Sequence, residues 1–205
     1  MKTDDHQELE IKLFLADLET FQRRVEAQGA KLIEARLHEV NLRFDTADQS
    51  LTRSLQVLRL RQDTAARLTY KGPGETIDGV YARREIEFTV SDYQSARALF
   101  EVLGYQVSLM YEKYRTTYDL DGVHVTLDEM PYGNFTEIEG PDADRIRSVA
   151  GKLGIDWEAR IMDSYTSLFD RLRGELGFSF RDLSFENFAG MDVPPAALGV
   201  RPADG

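Results

Sequence analysis

Glu8-Leu9-Glu10-Ile11-Lys12 alternates charged and aliphatic side chains. In an extended chain, successive side chains point to opposite faces, so Glu8, Glu10 and Lys12 share one side and Leu9, Ile11 and Leu13 the other. Similar charged positions recur further on: Arg59 with Arg61, Lys71, Glu85 with Glu87, Lys113 with Arg115, Asp128, and Glu137 with Glu139. Arg and Lys clamp phosphoryl oxygens and stabilise charge on a transferring phosphoryl group. Carboxylates hold divalent cations that orient phosphates and activate an attacking oxygen. The ligand that serves both sets of charges is a polyphosphate accompanied by Mg²⁺ or Mn²⁺.

The ordinary meaning of such alternation is a half-exposed antiparallel sheet whose charged side meets water and forms cross-strand ion pairs. Two features favour a different arrangement. These positions are mostly Arg, Lys and Glu in doublets, where a simple wet face would carry many Ser, Thr and Gln. Four amphipathic helices are also available to cover the apolar faces. Helices outside and charges inside require a sheet curled into a barrel with a polar lumen, which is costly unless ligand or water neutralises it.

The elements that must position these charges follow from local signals. Helices are expected over 17–30, with Leu18, Phe21 and Val25 at helical spacing, and over 91–104, with Ser91 and Gln94 as a capping box and Gly104 as the stop. Two more are expected over 142–153 and 164–176, with Trp157 packing between them. Extended segments are expected over 37–45, 57–61, 67–71, 82–90, 111–118, 123–129 and 135–139, the 67–71 strand being stopped by Gly72-Pro73-Gly74. In 37–45 the polar residues Glu39, Asn41, Arg43 and Asp45 share a face, and in 82–90 Arg83 lies beside Glu85 and Glu87. Asp121-Gly122 marks a hairpin. Residues 1–177 read as the main domain, 178–190 as an aromatic docking segment, and 191–205, rich in Pro, Gly and Ala, as a disordered tail. The docking segment has two roles open to it, capping a tunnel mouth or pairing two chains into a homodimer.

Bulk composition narrows the chemistry. A chain of 205 residues with 42% hydrophobic and 30% charged content suits one soluble domain. No apolar run reaches the roughly 20 residues of a membrane helix, and no basic-then-apolar leader is present. A cytoplasmic protein without membrane contact is expected. With no cysteine and only three histidines, at 6, 38 and 124, a metal would sit among oxygens. A net charge of −11 opposes nonspecific binding to nucleic acid. His124 shares a face with Asp128 but is expected to be structural, and Tyr111, Tyr114 and Tyr118 to be packing or edge residues. No Walker-type glycine loop is present.

The ordered set Glu8-Leu9-Glu10-Ile11-Lys12, Leu-Arg-Leu-Arg at 58–61, Thr-Tyr-Lys-Gly at 69–72, Arg-Glu-Ile-Glu at 84–87, Glu-Lys-Tyr-Arg at 112–115, and Leu-Asp-Glu followed by Phe-Thr-Glu-Ile-Glu-Gly resembles the CYTH superfamily, the triphosphate tunnel metalloenzymes. The resemblance spans roughly residues 6–175. It implies an α+β fold with a closed eight-stranded antiparallel barrel and a charged lumen. It also implies Mg²⁺ or Mn²⁺ as cofactor and a small-molecule triphosphate as substrate. Carried over, Glu8, Glu10, Asp128, Glu137 and Glu139 resemble metal-holding acids, with Glu85 and Glu87 in support. Lys12, Arg59, Arg61, Lys71, Lys113 and Arg115 resemble the triphosphate binders, and Glu8, Glu10, Lys71 and Glu137 the catalytic set.

Two reactions fit such a site. In hydrolysis, water attacks the terminal phosphorus of inorganic triphosphate or an organic triphosphate; in a class IV adenylyl cyclase, the ribose 3′-hydroxyl attacks the α-phosphorus of ATP and pyrophosphate leaves. Hydrolysis is the expectation, because it needs nothing beyond the charges in view. A noncatalytic polyphosphate binder is a third reading, disfavoured by the intact acidic set.

Overall fold

The computed structural model describes residues 7–205; residues 1–6, the start of the expected main domain, lie outside it. Eight strands form the body: β1 (Gln7–Leu15), β2 (Lys31–Asp45), β3 (Val57–Gln62), β4 (Ala66–Ile77), β5 (Val80–Val90), β6 (Gln106–Leu120), β7 (Val123–Met130) and β8 (Gly133–Glu139). They close into a barrel in the order β1-β5-β4-β3-β2-β6-β7-β8, β8 returning to β1. Every pairing is antiparallel. Closure gives every strand a neighbour on both sides over part of its length, with one face to the lumen and one to the outside.

The outward faces are apolar and covered. Ile11, Leu13 and Leu15 of β1 pack with Phe21 and Val25 of α1 (Leu18–Ala27) and with Ile146, Val149 and Leu153 around α4 (Ala143–Lys152). The short α2 (Ser50–Arg53) links β2 to β3, and Leu42, Phe44 and Leu60 pack on Phe100 of α3 (Tyr93–Val102). Burying each such side chain is worth about 1.5–3 kcal/mol. These helices start where side-chain caps satisfy free N–H groups: Asp17 for α1, Asp92 for α3 and Asp142 for α4. The α3 cap is Asp92 and not Ser91, one residue later than the sequence suggested. Trp157 packs against the outer core between the guanidiniums of Arg147 (4.7 Å) and Arg160 (4.2 Å). Among the described residues, no helix is long and apolar enough to cross a membrane.

Three features differ from expectation. First, β4 continues through Gly72-Pro73-Gly74 to Ile77, with a register shift between Lys71 and Gly74. Because β3 pairs no further than Lys71, Pro73 lies on a free edge and has no ladder bond to lose there. A Cβ on Gly74 would fall 2.3 Å from the Tyr81 ring, so glycine is what lets the bulge close. Second, α5 (Tyr165–Leu176) crosses one end of the barrel instead of covering its outside. Its Tyr165, Leu168, Phe169 and Leu172 join Phe14, Phe135, Tyr111 and Met130, which continue the lumen-side rows of their strands.

Third, residues 191–205 are not disordered but packed. Leu198 and Ala203 are fully buried, and the Ala203 N–H donates to the Phe14 carbonyl (3.0 Å). Asp204 accepts from the Ala16 and Asp17 N–H groups at the start of α1 (2.9 Å each). The reason lies in the barrel seams. β1 pairs with β5 only to Glu10, so Lys12 and Phe14 have carbonyls on that side that are taken by Ile161 and Ala203. At the second seam, β7 pairs with β6 only from Tyr114, and Leu183 fills the gap by exchanging bonds with Met110 and Glu112 (2.9 and 3.1 Å). The segment 178–190 packs on the body through Leu183, with Phe178 and Phe180 stacked at 4.1 Å.

Candidate active site

Alternation along β1 sends Glu8, Glu10 and Lys12 into the lumen, where they meet side chains from β2 to β6 and β8 around a cavity of ≈ 600 Å³. Its charged lining comprises Glu8, Glu10, Glu85, Glu87, Glu137 and Glu139 against Lys12, Arg43, Arg59, Arg61, Lys71, Arg83, Lys113, Arg115 and Arg160. Cations exceed carboxylates here although the whole chain carries −11. The acids are gathered on one side, with Lys12, Lys71 and Arg83 among them. The acids sit on β1, β5 and β8, whereas β2, β3 and β6 contribute Arg43, Arg59, Arg61, Lys113 and Arg115 from the facing wall.

On the acidic wall, Lys71 Nζ lies between Glu8 (2.9 Å) and Glu85 (2.8 Å). Arg83 links Glu8 (2.9 Å) and Glu10 (3.2 Å). Burial penalises the Glu8 charge, but Lys71, a hydrogen bond shared with Glu85, and Arg83 hold its carboxyl well below the usual range. The neighbouring acids go the other way. Burial, Glu137 and Glu8 raise Glu10. Burial and then Glu8 and Glu10 push Glu139 up to about 7, and burial with Glu8 does the same to Glu85 in spite of Lys71. Glu10 and Glu139 stand directly opposite in the β1–β8 register. These are crowded carboxylates whose mutual repulsion a cation would relieve.

On the basic wall, Arg61 contacts Glu39 (3.4 Å), Asp63 (3.1 Å) and Glu87 (3.2 Å), while Arg59 reaches Glu87 (3.3 Å) and the Tyr111 hydroxyl (3.3 Å). Lys12 lies 3.3 Å from Glu137 and 4.5 Å from the Tyr165 ring centre. Burial opposes the Glu137 charge, but Lys12, Arg115 and Lys113 outweigh it and hold that carboxyl well below its ordinary value.

Most residues singled out from sequence therefore line the cavity. Asp128 does not. It is fully buried and its oxygens are occupied by Lys113 (3.0 Å), Arg115 and the Tyr165 hydroxyl (2.8 Å), so it fixes the basic wall and offers no free oxygen to a metal. Its strand alternation gave the face correctly but could not reveal these partners. Glu87 and Glu85 brace Arg and Lys as supporting acids. His124 is exposed and does not line the cavity. Tyr111, expected to be packing or edge, also lines the cavity beside Arg59.

Sequence reasoning missed Arg43, Arg83, Glu39 and the Tyr165–Thr166 end of α5. Arg43, Arg83 and Glu39 were visible on the correct faces, but period-two alternation reports a side, not a height in the barrel. Glu39 is 1% exposed, and its Oε2 has no hydrogen-bond partner. It is held at about 2, burial being outweighed by Lys113, Arg115, Arg61 and Arg59.

The donor set is oxygen-only and crowded, which suits Mg²⁺ or Mn²⁺ in kind. Among the described residues, no three acids or histidines already converge on a common point. Glu10 and Glu139, with Glu8 and Glu137 alongside, are the residues that would hold such an ion.

Comparisons with known proteins bear on the fold and the family. A putative adenylate cyclase of Methanocaldococcus jannaschii is 29% identical over 135 residues, covering 64% of this chain and 75% of that protein. Two solved structures share the fold. A putative adenylate cyclase from Vibrio parahaemolyticus has a TM-score of 0.72 at 22% identity, covering 80% of this chain and 98% of that one. A putative adenylyl cyclase from Hippeastrum, described as having a dominant triphosphatase activity, has a TM-score of 0.62 at 22% identity, covering 80% and 95%. Residues 6–152 match the CYTH domain, a span that takes in every barrel strand and stops before α5, and the chain belongs to the CYTH family.

Proposed function

We propose that this chain is a divalent-metal-dependent triphosphatase that hydrolyses the terminal phosphoanhydride of inorganic triphosphate or an organic triphosphate. The observation that carries the reading is the two-signed cavity, in which a wall of crowded carboxylates faces a wall of Arg and Lys. A triphosphate bridges them, its oxygens taken by Lys12, Arg59, Arg61, Lys113 and Arg115, which replace its hydration shell with fixed donors. Asp128 and Glu39 keep those donors in place before substrate arrives. Glu8 and Glu85 orient Lys71 toward the phosphates from the acidic side. A bound Mg²⁺ or Mn²⁺ would neutralise phosphate charge and acidify a water. In the reaction, the water oxygen forms a bond to the terminal phosphorus and gives up a proton to solvent as the bridging P–O bond breaks, and the diphosphate portion leaves with its charge held by the basic wall.

Cyclisation of ATP is the second reading, favoured by the names of the Methanocaldococcus and Vibrio relatives; the Hippeastrum protein speaks for hydrolysis. The test is to incubate the protein with Mg²⁺ or Mn²⁺ and, separately, inorganic triphosphate, ATP and thiamine triphosphate, then resolve the products. Orthophosphate release is expected. Cyclic AMP with pyrophosphate would replace the hydrolase by a cyclase, and binding without turnover with either metal would leave a noncatalytic binder.

A further inference from the structure

Arg43 stands apart from the other cations of the cavity. Each of those has a carboxylate within 4.0 Å, from Glu137 beside Lys12 to Glu158 beside Arg160. Among the described residues, Arg43 has no such carboxylate. Its nearest polar contact is the Thr166 hydroxyl, to which Nη1 donates at 2.5 Å. Burial lowers its pKa and Arg59 adds to this, against weaker pulls from Tyr111, Asp45 and Asp170. Neither aspartate forms an ion pair with it, and each has other partners. Asp45 accepts from the Thr46, Leu51 and Thr52 backbone and the Thr52 hydroxyl, and Asp170 is bonded to Arg173.

Arg43 is moreover the register partner of Arg59 across β2–β3. Like charges directly opposite each other destabilise a sheet, and here one of the two has no compensating acid. Such a pair is explained by an anion that arrives later. β2 stands four strands from β1 in either direction around the ring, so Arg43 occupies the wall facing Glu8 and Glu10.

We infer that Arg43, steadied by Thr166, is a further substrate-binding residue, taking an oxygen of the phosphoryl group farthest from the acidic wall. The inference rests on the triphosphate reading above and assigns that ligand an additional contact.

The test compares wild type, Arg43→Met and Arg43→Lys by calorimetric titration with inorganic triphosphate in excess chelator, where no turnover occurs. Arg43→Met is expected to weaken binding by roughly 10- to 100-fold, the scale of a lost charge-assisted contact, with Arg43→Lys in between. In the metal-loaded assay, the loss should fall on KM more than on kcat. Without ligand, Arg43→Met should melt no lower than wild type, because a like-charge opposition has been removed. Wild-type affinity in Arg43→Met, or a lower melting temperature with affinity retained, would make Arg43 a strut and overturn the assignment alone. A wild type that binds no triphosphate either in chelator or with Mg²⁺ would overturn the underlying reading as well.

Discussion

Glu10 is buried opposite Glu139 and near Glu8 and Glu137, with Lys12, Arg83 and Lys71 offsetting them in part. Glu10→Gln keeps the shape and removes the charge. It should cost activity by about 10²-fold or more, the scale of a lost charge-stabilising group in an active site, while the melting temperature holds or rises. Full activity in this variant would exclude the proposed metal wall. Glu39 gives the opposite expectation. Its carboxyl is held at about 2, against an ordinary value of 4.5. A depressed carboxylate contributes stability that is fully present above about 4.5 and is lost as pH falls toward 2. The shift corresponds to at most about 3 kcal/mol. Urea unfolding should show wild type and Glu39→Gln converging between pH 4.5 and 2, with wild type more stable at neutrality; parallel curves across that range would refute it. The charged doublets made the lumen face legible in the sequence, whereas these environments depend on which strands face one another across the ring. Arg83 illustrates the limit: it shares a face with Glu85 and Glu87, yet its task is to bridge Glu8 and Glu10 on the adjacent strand.

The strands were legible as elements because alternation and turn residues mark them, and the helices because apolar stripes and caps do. The C-terminal segment was not, since its role is set by unsatisfied seams elsewhere. Nothing in Pro194-Pro195-Ala196-Ala197-Leu198 says that it will lie against α5. Yet α6 (Pro195–Leu198) places Leu198 in the aromatic cluster that closes the barrel, and Arg171 of α5 donates to the Leu198 carbonyl at 2.6 Å. Leu198→Ala should therefore destabilise the protein by about 3 kcal/mol, as for other buried leucines. A denaturation midpoint unchanged from wild type would show that the segment adds nothing to the fold. Because α5 carries Tyr165 against Lys12 and Asp128, the same variant should also raise KM for triphosphate.

At the scale of the molecule, a chain of net charge −11 encloses a cavity richer in cations than in acids. Long-range repulsion of a polyanion and short-range attraction thus oppose each other. Salt acts unequally on the two, because exposed charges beyond a Debye length of roughly 10 Å at 0.1 M are screened while buried pairs are screened much less. Raising salt should relieve the repulsion that slows approach and leave most of the attraction that holds the bound triphosphate. We expect triphosphate affinity to change by less than about tenfold between 50 and 200 mM salt, whereas open basic surfaces that track duplex DNA lose roughly 10³–10⁵. The association rate should hold or rise over the same range, the reverse of electrostatic steering by a basic exterior. Duplex DNA should not compete, since its phosphates meet the acidic exterior and cannot follow into a closed barrel. Calorimetric titration with inorganic triphosphate at two salt concentrations, with and without duplex DNA, measures this directly. A steep fall in affinity with salt, or competition by DNA, would mean that the binding cations lie on the outer surface and that the lumen is a structural ion-pair network.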